Sequence, residues 1–301
     1  MTLRTMDPNR LSFGGHETFP FRLGWIRKGV SAASKDPYVF AAPDAVVRLG
    51  VGKNMVRSIR TWCLATQMLA EAAPSGASRL KPLVMTPTAK AVFGEEGDPF
   101  LEDPGTLWLL HWLLVTNPDK LSLWRIAFMD SKENEFTKPE LVDLALAHAA
   151  RSGQRTEAGS VSRDVFVRTY TAARSGSSEE DFSCPLVELG LISAGGHDRF
   201  AFVVGNKRTL PDRVFGFALA QFLESFGTAD CSLSDATYLP GSPGQAFRLE
   251  EDSVVAHLRE LESLDPETWL VDVDGPIRRV GLRKPVDPIA LLAEHYREVS
   301  I

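Results

Sequence analysis

Helical patterns followed by short strand-like stretches recur three times along the 301-residue chain, and this rhythm limits the folds it can adopt. In each stretch, apolar residues recur at helical spacing before a turn-rich segment that favours strands. This succession is typical of α+β folds in which helices pack against small sheets. We therefore predict a mostly helical, multi-domain α+β protein. Because helices followed by a hairpin are also the order of winged-helix proteins, we predict winged-helix-like modules (helix-turn-helix plus hairpin).

The predicted domain boundaries lie between the three repeats of this pattern. A basic N-terminal helix-turn-helix or winged-helix-like domain takes residues 1–130, a second helix-plus-hairpin module residues 131–208, and a C-terminal module of the same kind residues 209–301. A chain of this length is sufficient for two or three domains with their own cores.

Local patterns predict the individual elements. Thr137 and Glu140 have the spacing of a capping box, which predicts a helix start. Residues 121–129 fit a helix as readily as a strand. The other predicted helices cover residues 43–49, 54–69, 107–115, 162–173, 211–226, 252–261 and 287–296. Predicted strands or hairpins lie within residues 81–93, 186–192, 200–204 and 269–280.

The distribution of charge separates the first part of the chain from the rest. The formal net charge is -6, which does not indicate a nucleic-acid-binding protein. Residues 1–90, however, hold 13 Lys and Arg against 5 Asp and Glu, whereas the remaining residues hold 20 against 34. Such asymmetry favours a polyanionic partner for the N-terminal part.

The turn at Gly50 and Gly52, between two amphipathic helical patterns, predicts a helix-turn-helix. On the second helix, cationic side chains occupy one face and apolar side chains the other. The predicted DNA contacts are Lys53, Asn54, Arg57, Arg60 and Thr61. The alternative is an ordinary solvated helix face. A nucleotide-binding P-loop is disfavoured, because that motif needs Gly in place of Val47 and Ser or Thr in place of Asn54.

An aromatic and basic segment, residues 13–29, precedes this motif. Gly14 and Gly15 permit a tight turn that brings an imidazole, a carboxylate and cations towards one cleft, where acid–base or phosphate chemistry is possible. The candidate catalytic residues are His16, Glu17, Arg22 and Lys28. The alternative, which the residues themselves favour, is an aromatic anchor that docks the N-terminal segment, with His16 and Glu17 capping the following helix.

Four sequence blocks resemble a known family. They are FGGHETFPFRLGW (residues 13–25), LGVGKNMVRSIRTW (residues 49–62), GDPFLEDPGTLWLLHW (residues 97–112) and YLPGSPGQAFRL (residues 238–249). The chain is similar here to an uncharacterised bacterial domain family that includes the SspB-like DNA-nicking component of single-strand DNA phosphorothioation systems. The resemblance implies a nicking endonuclease acting in DNA modification and phage defence. It also implies a cysteine desulfurase, an ATPase and an ATP-pyrophosphatase as partners.

Phosphodiester cleavage generally needs carboxylates that hold a divalent metal, so a nickase predicts Mg²⁺ or Mn²⁺ as cofactor. The single Asp/Glu-x-Lys triplet is Asp130-Ser131-Lys132, and Asp119 precedes it at a spacing compatible with a restriction-like site. Asp119, Asp130 and Lys132 are therefore the metal-site candidates. The alternative is that Asn117, Pro118 and Asp119 cap a helix and that Asp130 begins a linker.

The cysteine and hydropathy patterns indicate whether the chain has disulfides, a metal site or a membrane span. The three cysteines lack metal-ligand or disulfide spacing, and no apolar run is long enough for a membrane span. A cytoplasmic protein without membrane contact is predicted, and a homo-oligomer is expected. Two functions compete with the nickase: a non-catalytic DNA-binding adaptor or regulator of a DNA modification system, and a protein-binding scaffold.

Overall fold

The computed structural model describes residues 11–73, 80–117, 119–172, 184–196 and 198–299. Within these residues there are thirteen α-helices and eight strands, and the strands form three small antiparallel sheets. The predicted α+β class with a predominance of helices is confirmed. None of the described helices is both long enough and apolar enough to cross a bilayer.

The first part begins with three helices and a two-stranded sheet. Its elements are α1 (Leu23–Lys35), α2 (Ala45–Leu49), α3 (Lys53–Ala65), β1 (Leu69–Glu71) and β2 (Leu83–Met85). The helix predicted to reach residue 69 is too long, because Gln67 adopts a positive φ of 56° and Leu69 pairs with Met85. This pairing joins residues distant in sequence, which local periodicity does not report.

The strand pair predicted within residues 81–93 is wrong for its second half. After β2, Thr86 caps α4 (Pro87–Val92), since its side chain accepts a hydrogen bond from the amide of Ala89. The apolar helix predicted over residues 107–115 is confirmed as α5 (Pro104–Val115). Asp103 caps α5, with its side chain accepting a hydrogen bond from the amide of Gly105.

The second part contains a three-stranded sheet. Its elements are α6 (Ser122–Arg125), a π-helical turn (Ile126–Asp130), β3 (Glu135–Thr137), α7 (Lys138–Arg151), α8 (Arg163–Tyr170), β4 (Ile192–Ala194) and β5 (Arg199–Phe202). The capping box of Thr137 and Glu140 is confirmed. The strand predicted over residues 186–192 is wrong, because Pro185–Leu189 forms a 3₁₀-helix before β4. The sheet has the order β3-β5-β4.

The third part has the same strand arrangement. Its elements are α9 (Asp212–Phe226), β6 (Asp230–Ser232), α10 (Leu233–Tyr238), α11 (Pro243–Phe247), α12 (Glu251–Leu264), β7 (Trp269–Asp272), β8 (Arg279–Leu282) and α13 (Pro288–Val299). The sheet order is β6-β8-β7. The predicted hairpin and the three predicted helices are confirmed, whereas β6, α10 and α11 were not predicted. In both the second and the third part, the first strand pairs with the last.

One connected cluster of buried apolar residues extends through all three parts, from Leu11 to Tyr296. Helix α5 lies inside it, with every residue from Gly105 to Val115 buried. Its His111 is hydrogen-bonded at both ring nitrogens, to the Tyr170 hydroxyl and the Ala246 carbonyl, at 2.9 Å each. The central helix therefore ties the second and third parts to the first. The domain limits at residues 130 and 208 stay a prediction.

Candidate nucleic-acid interface and cleft

Helix α3 presents a cationic face to solvent, as the sequence pattern predicts. Lys53 and Asn54 are exposed in its first turn, and the side chain of Arg57 is 57% exposed. The opposite face, with Val56, Ile59 and Cys63, is buried. The apolar spacing that makes this helix amphipathic therefore also aligns its cations on the solvent side.

Neighbouring carboxylates engage two of the cations on this face. Arg57 lies 3.7 Å from the Glu17 carboxylate, and Arg60 lies 2.7 Å from Glu71. No described carboxylate lies within ion-pair distance of Lys53. The positive field is therefore strongest at the N-terminal end of α3, where the free amides of the first turn add to it.

The loop of residues 13–19 is fastened onto α3. Three α3 side chains donate hydrogen bonds to its carbonyls: Ser58 to His16 at 2.9 Å, Thr61 to Gly15 at 2.7 Å and Trp62 to Phe19 at 3.0 Å. Thr61 is thus buried against this loop and does not share the exposed face of Lys53. Gly15 is required there, since it adopts a φ of 99° and a Cβ would lie 2.9 Å from the Thr61 hydroxyl.

His16 is an interior residue, with 1% of its surface exposed. Its ring packs against the indoles of Trp62 and Trp124, at centroid distances of 6.2 and 5.8 Å. Neither ring nitrogen has a hydrogen-bond partner among the described residues. Burial lowers the pKa of His16, and nearby backbone groups and the Glu17 carboxylate only partly offset this, so the imidazole is neutral near pH 7. In this conformation it has no access to a phosphate.

The other three candidate catalytic residues contact different neighbours. Glu17, with a positive φ of 55°, faces Arg57. The guanidinium of Arg22 lies 5.6 Å from the centre of the Trp25 ring. Lys28 donates a hydrogen bond of 2.9 Å to the carbonyl of Leu49, at the end of α2. Glu17 is thus the candidate carboxylate that lies beside the cationic face.

The candidate metal-site residues do not gather into a coordination site. The Asn117 side chain accepts hydrogen bonds from the amides of Asp119 and Lys120, at 2.9 and 3.0 Å, while Pro118 lies outside the described residues. Asp130 ends the π-helical turn, 3.7 Å from His148, and Lys132 is exposed. Nowhere in the described ranges do three His, Cys, Asp or Glu side chains come together to hold a metal. The candidate residues therefore do not form a preassembled cluster of three metal ligands within the described ranges.

A cleft of about 960 Å³ opens between the π-helical turn, the β3–α7 segment and the α10–α11 segment. We call it the π-helix cleft. Asp130 and Lys132 line it, and so do Arg151 and Arg248, which the sequence did not identify as site residues. Arg248 lies in the block of residues 238–249 that carries the family resemblance, and this is the signal that could have identified it.

The whole chain is similar to known proteins. The model of a family described as "Protein of unknown function (DUF4007)" matches residues 13–296. A crystal structure of magnesium ion-bound SspB matches with a TM-score of 0.86 and 32% identity, over 96% of this chain and 88% of that chain. A second SspB crystal structure matches with a TM-score of 0.86 and 30% identity, over 97% and 91%. A comparison with curated proteins finds no match.

Proposed function

The chain belongs to the family described as "Protein of unknown function (DUF4007)", and we propose that it is a DNA-binding component of a DNA phosphorothioate modification system. The likeness to SspB over nearly the full length of both chains supports this setting. The observation that carries the DNA-binding proposal is the exposed face of α3 with Lys53, Asn54 and Arg57.

The composition of this face suits duplex DNA. Lys and Arg neutralise phosphates, while Arg and Asn can also form paired hydrogen bonds with guanine and adenine in the major groove. A short helix and a tight turn precede α3, and this order supports a helix-turn-helix in which the N-terminal end of α3 meets the DNA. The acidic remainder of the chain, with 34 Asp and Glu against 20 Lys and Arg, repels DNA and so orients it towards α3.

Winged-helix modules belong to the same proposal. In the second and third parts, a strand, then helices, then a hairpin follow one another, and the first strand pairs with the last. This order supports winged-helix-like modules within residues 131–208 and 209–301. The first part offers three helices followed by a two-stranded sheet. Among the described residues, this first part carries the cationic face of α3, so we assign DNA contact to it.

Loss of the two exposed cations of α3 should weaken duplex binding. The double variant Lys53→Ala with Arg57→Ala is expected to bind a duplex about tenfold to a hundredfold more weakly. The slope of log affinity against log salt should fall by about 2, because each lost phosphate contact removes about one released counterion. Filter binding or fluorescence anisotropy across a salt series measures both quantities.

A matched control removes two cations from the acidic part of the chain. Arg259 and Lys284 are both half exposed and paired with carboxylates, so Arg259→Ala with Lys284→Ala changes the net charge equally. This control should keep the affinity and the salt slope of the original chain. If the two double variants bind the duplex with the same affinity and the same salt slope, α3 is not part of the DNA interface.

Nicking is the finer part of the proposal and rests on the resemblance to the SspB-like nicking component. In that role the chain would act with a divalent ion, Mg²⁺ or Mn²⁺, and beside a cysteine desulfurase, an ATPase and an ATP-pyrophosphatase. A homo-oligomer is part of this proposal. The second candidate is a non-catalytic DNA-binding adaptor, which the burial of the His16 ring among tryptophans favours.

A plasmid relaxation assay separates the two candidates. For a nickase, the purified chain should relax supercoiled plasmid with Mg²⁺ or Mn²⁺ and not with EDTA. Glu17→Gln should then lower the nicking rate by about a hundredfold if Glu17 is an acid–base group, while duplex affinity stays within twofold. His16→Ala tests the imidazole, with circular dichroism as the folding control. Plasmid that is bound and stays supercoiled identifies the adaptor.

A further inference from the structure

Arg248 is a buried cation that forms no ion pair with a carboxylate of the described residues. The residue is 6% exposed, and its guanidinium lies 3.7 Å from the centre of the Phe202 ring. One of its N–H groups donates to the carbonyl of Ala127 at 3.0 Å, whereas Nε has no hydrogen-bond partner within the part of the chain that the structure describes. Burial lowers the pKa of Arg248 to about 10, so the side chain stays charged at neutral pH. An interior charge left in this state is costly unless something else compensates it.

A second buried cation lies near the first. Lys207 is 7% exposed and donates a hydrogen bond of 2.6 Å to the carbonyl of Val203. Its pKa is lowered by burial and further by the charge of Arg248. In the described part of the chain, no carboxylate forms an ion pair with either residue. Two like charges in one low-dielectric region raise the cost further, so a compensating anion would stabilise both.

Arg248 lines the π-helix cleft, where the carboxylates are largely engaged. The Glu140 carboxylate closes the capping box with Thr137, and Asp130 faces His148. Glu135 lies 3.6 Å from Arg199. The described ion pairs of these carboxylates do not include Arg248.

Three of the residues that line the cleft are cationic: Lys132, Arg151 and Arg248. Arg151 and Lys132 are exposed lining residues that form no ion pair with a described carboxylate. Glu133 is the lining carboxylate whose side chain has no described partner. The lining also holds four carboxylates, Asp130, Glu133, Glu135 and Glu140, so an anionic ligand would be attracted by the three cationic side chains themselves and not by a net positive cleft.

The volume of the cleft and the residues that line it indicate which class of ligand it can hold. A volume of about 960 Å³ accommodates a molecule of nucleotide size. The ring of Tyr238, which is 55% exposed, belongs to the lining and offers a surface on which a base can stack. One wall is the π-helical turn Ile126–Asp130, a conformation that often occurs at functional sites.

We propose that the π-helix cleft binds a phosphate-bearing ligand of mononucleotide size, with its phosphate directed to the Arg248 guanidinium. Lys132 and Arg151 would attract the phosphate at the mouth, and Tyr238 would stack on the base. The Arg248 guanidinium, whose Nε–H has no partner among the described residues, would gain charge-assisted hydrogen bonds to phosphate oxygens, which are among the stronger ones in proteins. This site is separate from the duplex-binding face of α3.

Isothermal titration of the full chain with AMP, and with inorganic phosphate alone, tests the site at constant ionic strength set with chloride. We expect AMP to bind, and to bind at least about tenfold more tightly than phosphate because of base stacking. Lys132→Ala and Arg151→Ala, both at exposed positions, should each weaken AMP binding by about fivefold to tenfold. Tyr238→Ala should weaken AMP binding and leave phosphate binding unchanged. The exposed Arg259→Ala serves as the control and should bind as the original chain does.

Substitution of the buried Arg248 can disturb folding, so the test relies on the exposed variants Lys132→Ala and Arg151→Ala. Arg248→Lys, verified by circular dichroism, is expected to bind AMP more weakly because lysine lacks the planar fork. The proposal is overturned if neither ligand binds, or if Lys132→Ala and Arg151→Ala bind AMP as the original chain does. Equal affinities for AMP and phosphate would overturn the nucleotide class. Duplex affinity should be unchanged in all these variants. The test of the cleft is therefore independent of the test of DNA binding by α3.

Discussion

Replacing Trp62 with alanine is expected to lower the free energy of unfolding by about 4 kcal/mol, because a large, fully buried indole is removed from a packed core. Trp62 has no exposed surface and contacts the rings of Phe21, His16 and Trp124. Its indole N–H also donates to the carbonyl of Phe19, which fastens the loop of residues 13–19. The substitution should therefore loosen that loop and the contact between Glu17 and Arg57.

Urea unfolding followed by far-UV circular dichroism measures this effect without relying on the indole signal. Trp62→Phe keeps most of the ring packing and loses the hydrogen bond, so it should cost about 1–2 kcal/mol. Leu23→Ala changes a side chain that is 48% exposed and should alter stability by less than about 0.5 kcal/mol. A Trp62→Ala chain as stable as the Leu23→Ala chain would show that the loop does not depend on this indole.

The second large effect concerns the buried pair of Asp103 and His295. The Asp103 carboxylate accepts hydrogen bonds from His295 on α13 and from the amide of Gly105 on α5. The side chains of Asp103 and His295 are only 9% and 5% exposed. Asp103→Ala removes both the helix cap and the histidine partner, so we expect a loss of about 3 kcal/mol at pH 7.

The same pair predicts a pH dependence of stability. Burial raises the pKa of Asp103, but the hydrogen bonds from His295 and Gly105 and the charge of His295 outweigh it, and the net shift is downward. A carboxyl group whose pKa is lower in the folded state stabilises the protein above its unfolded pKa of about 4. That contribution is lost as the pH falls from about 4 through the lower folded pKa.

Urea unfolding from pH 7 down to pH 3 measures this dependence. Asp103→Asn keeps a good helix cap but has no charge, so its stability should fall less steeply between pH 5 and pH 3 than that of the original chain. Asp143→Asn, at an exposed position of α7, should keep the original slope. Identical slopes for Asp103→Asn and the original chain would contradict the assignment.

Elements marked by local chemistry were predictable from the sequence. The capping box before α7 and the uninterrupted apolar run of α5 depend on neighbouring residues, and both predictions are confirmed. The face of α3 was predictable because helical periodicity separates Lys53 and Arg57 from Val56 and Ile59. Elements that depend on pairing between distant residues were not predictable from the sequence. Strand β1 is an example, since its pairing with β2 ends the preceding helix earlier than predicted.

The same distinction between local and distant residues applies to the candidate site. The sequence alone indicated that residues 13–29 are a candidate site, but the environment of each side chain depends on its neighbours in the fold. The fold buries His16 against Trp62 and Trp124 and leaves Glu17 beside Arg57. Burial and distant partners are tertiary quantities, so a list of polar residues cannot distinguish an interior imidazole from an accessible one.

Helix periodicity, capping chemistry and the concentration of cations in the first 90 residues are properties of the sequence itself, since each depends on spacing or on counting. The tertiary structure decided which charges remain uncompensated. Arg248 is one basic residue among 33 in the sequence, and only the packing of Phe202 and Phe128 against it shows a buried guanidinium at a cleft. The cost of a charge depends on the dielectric and on the partners around it, and both are set by residues distant in sequence.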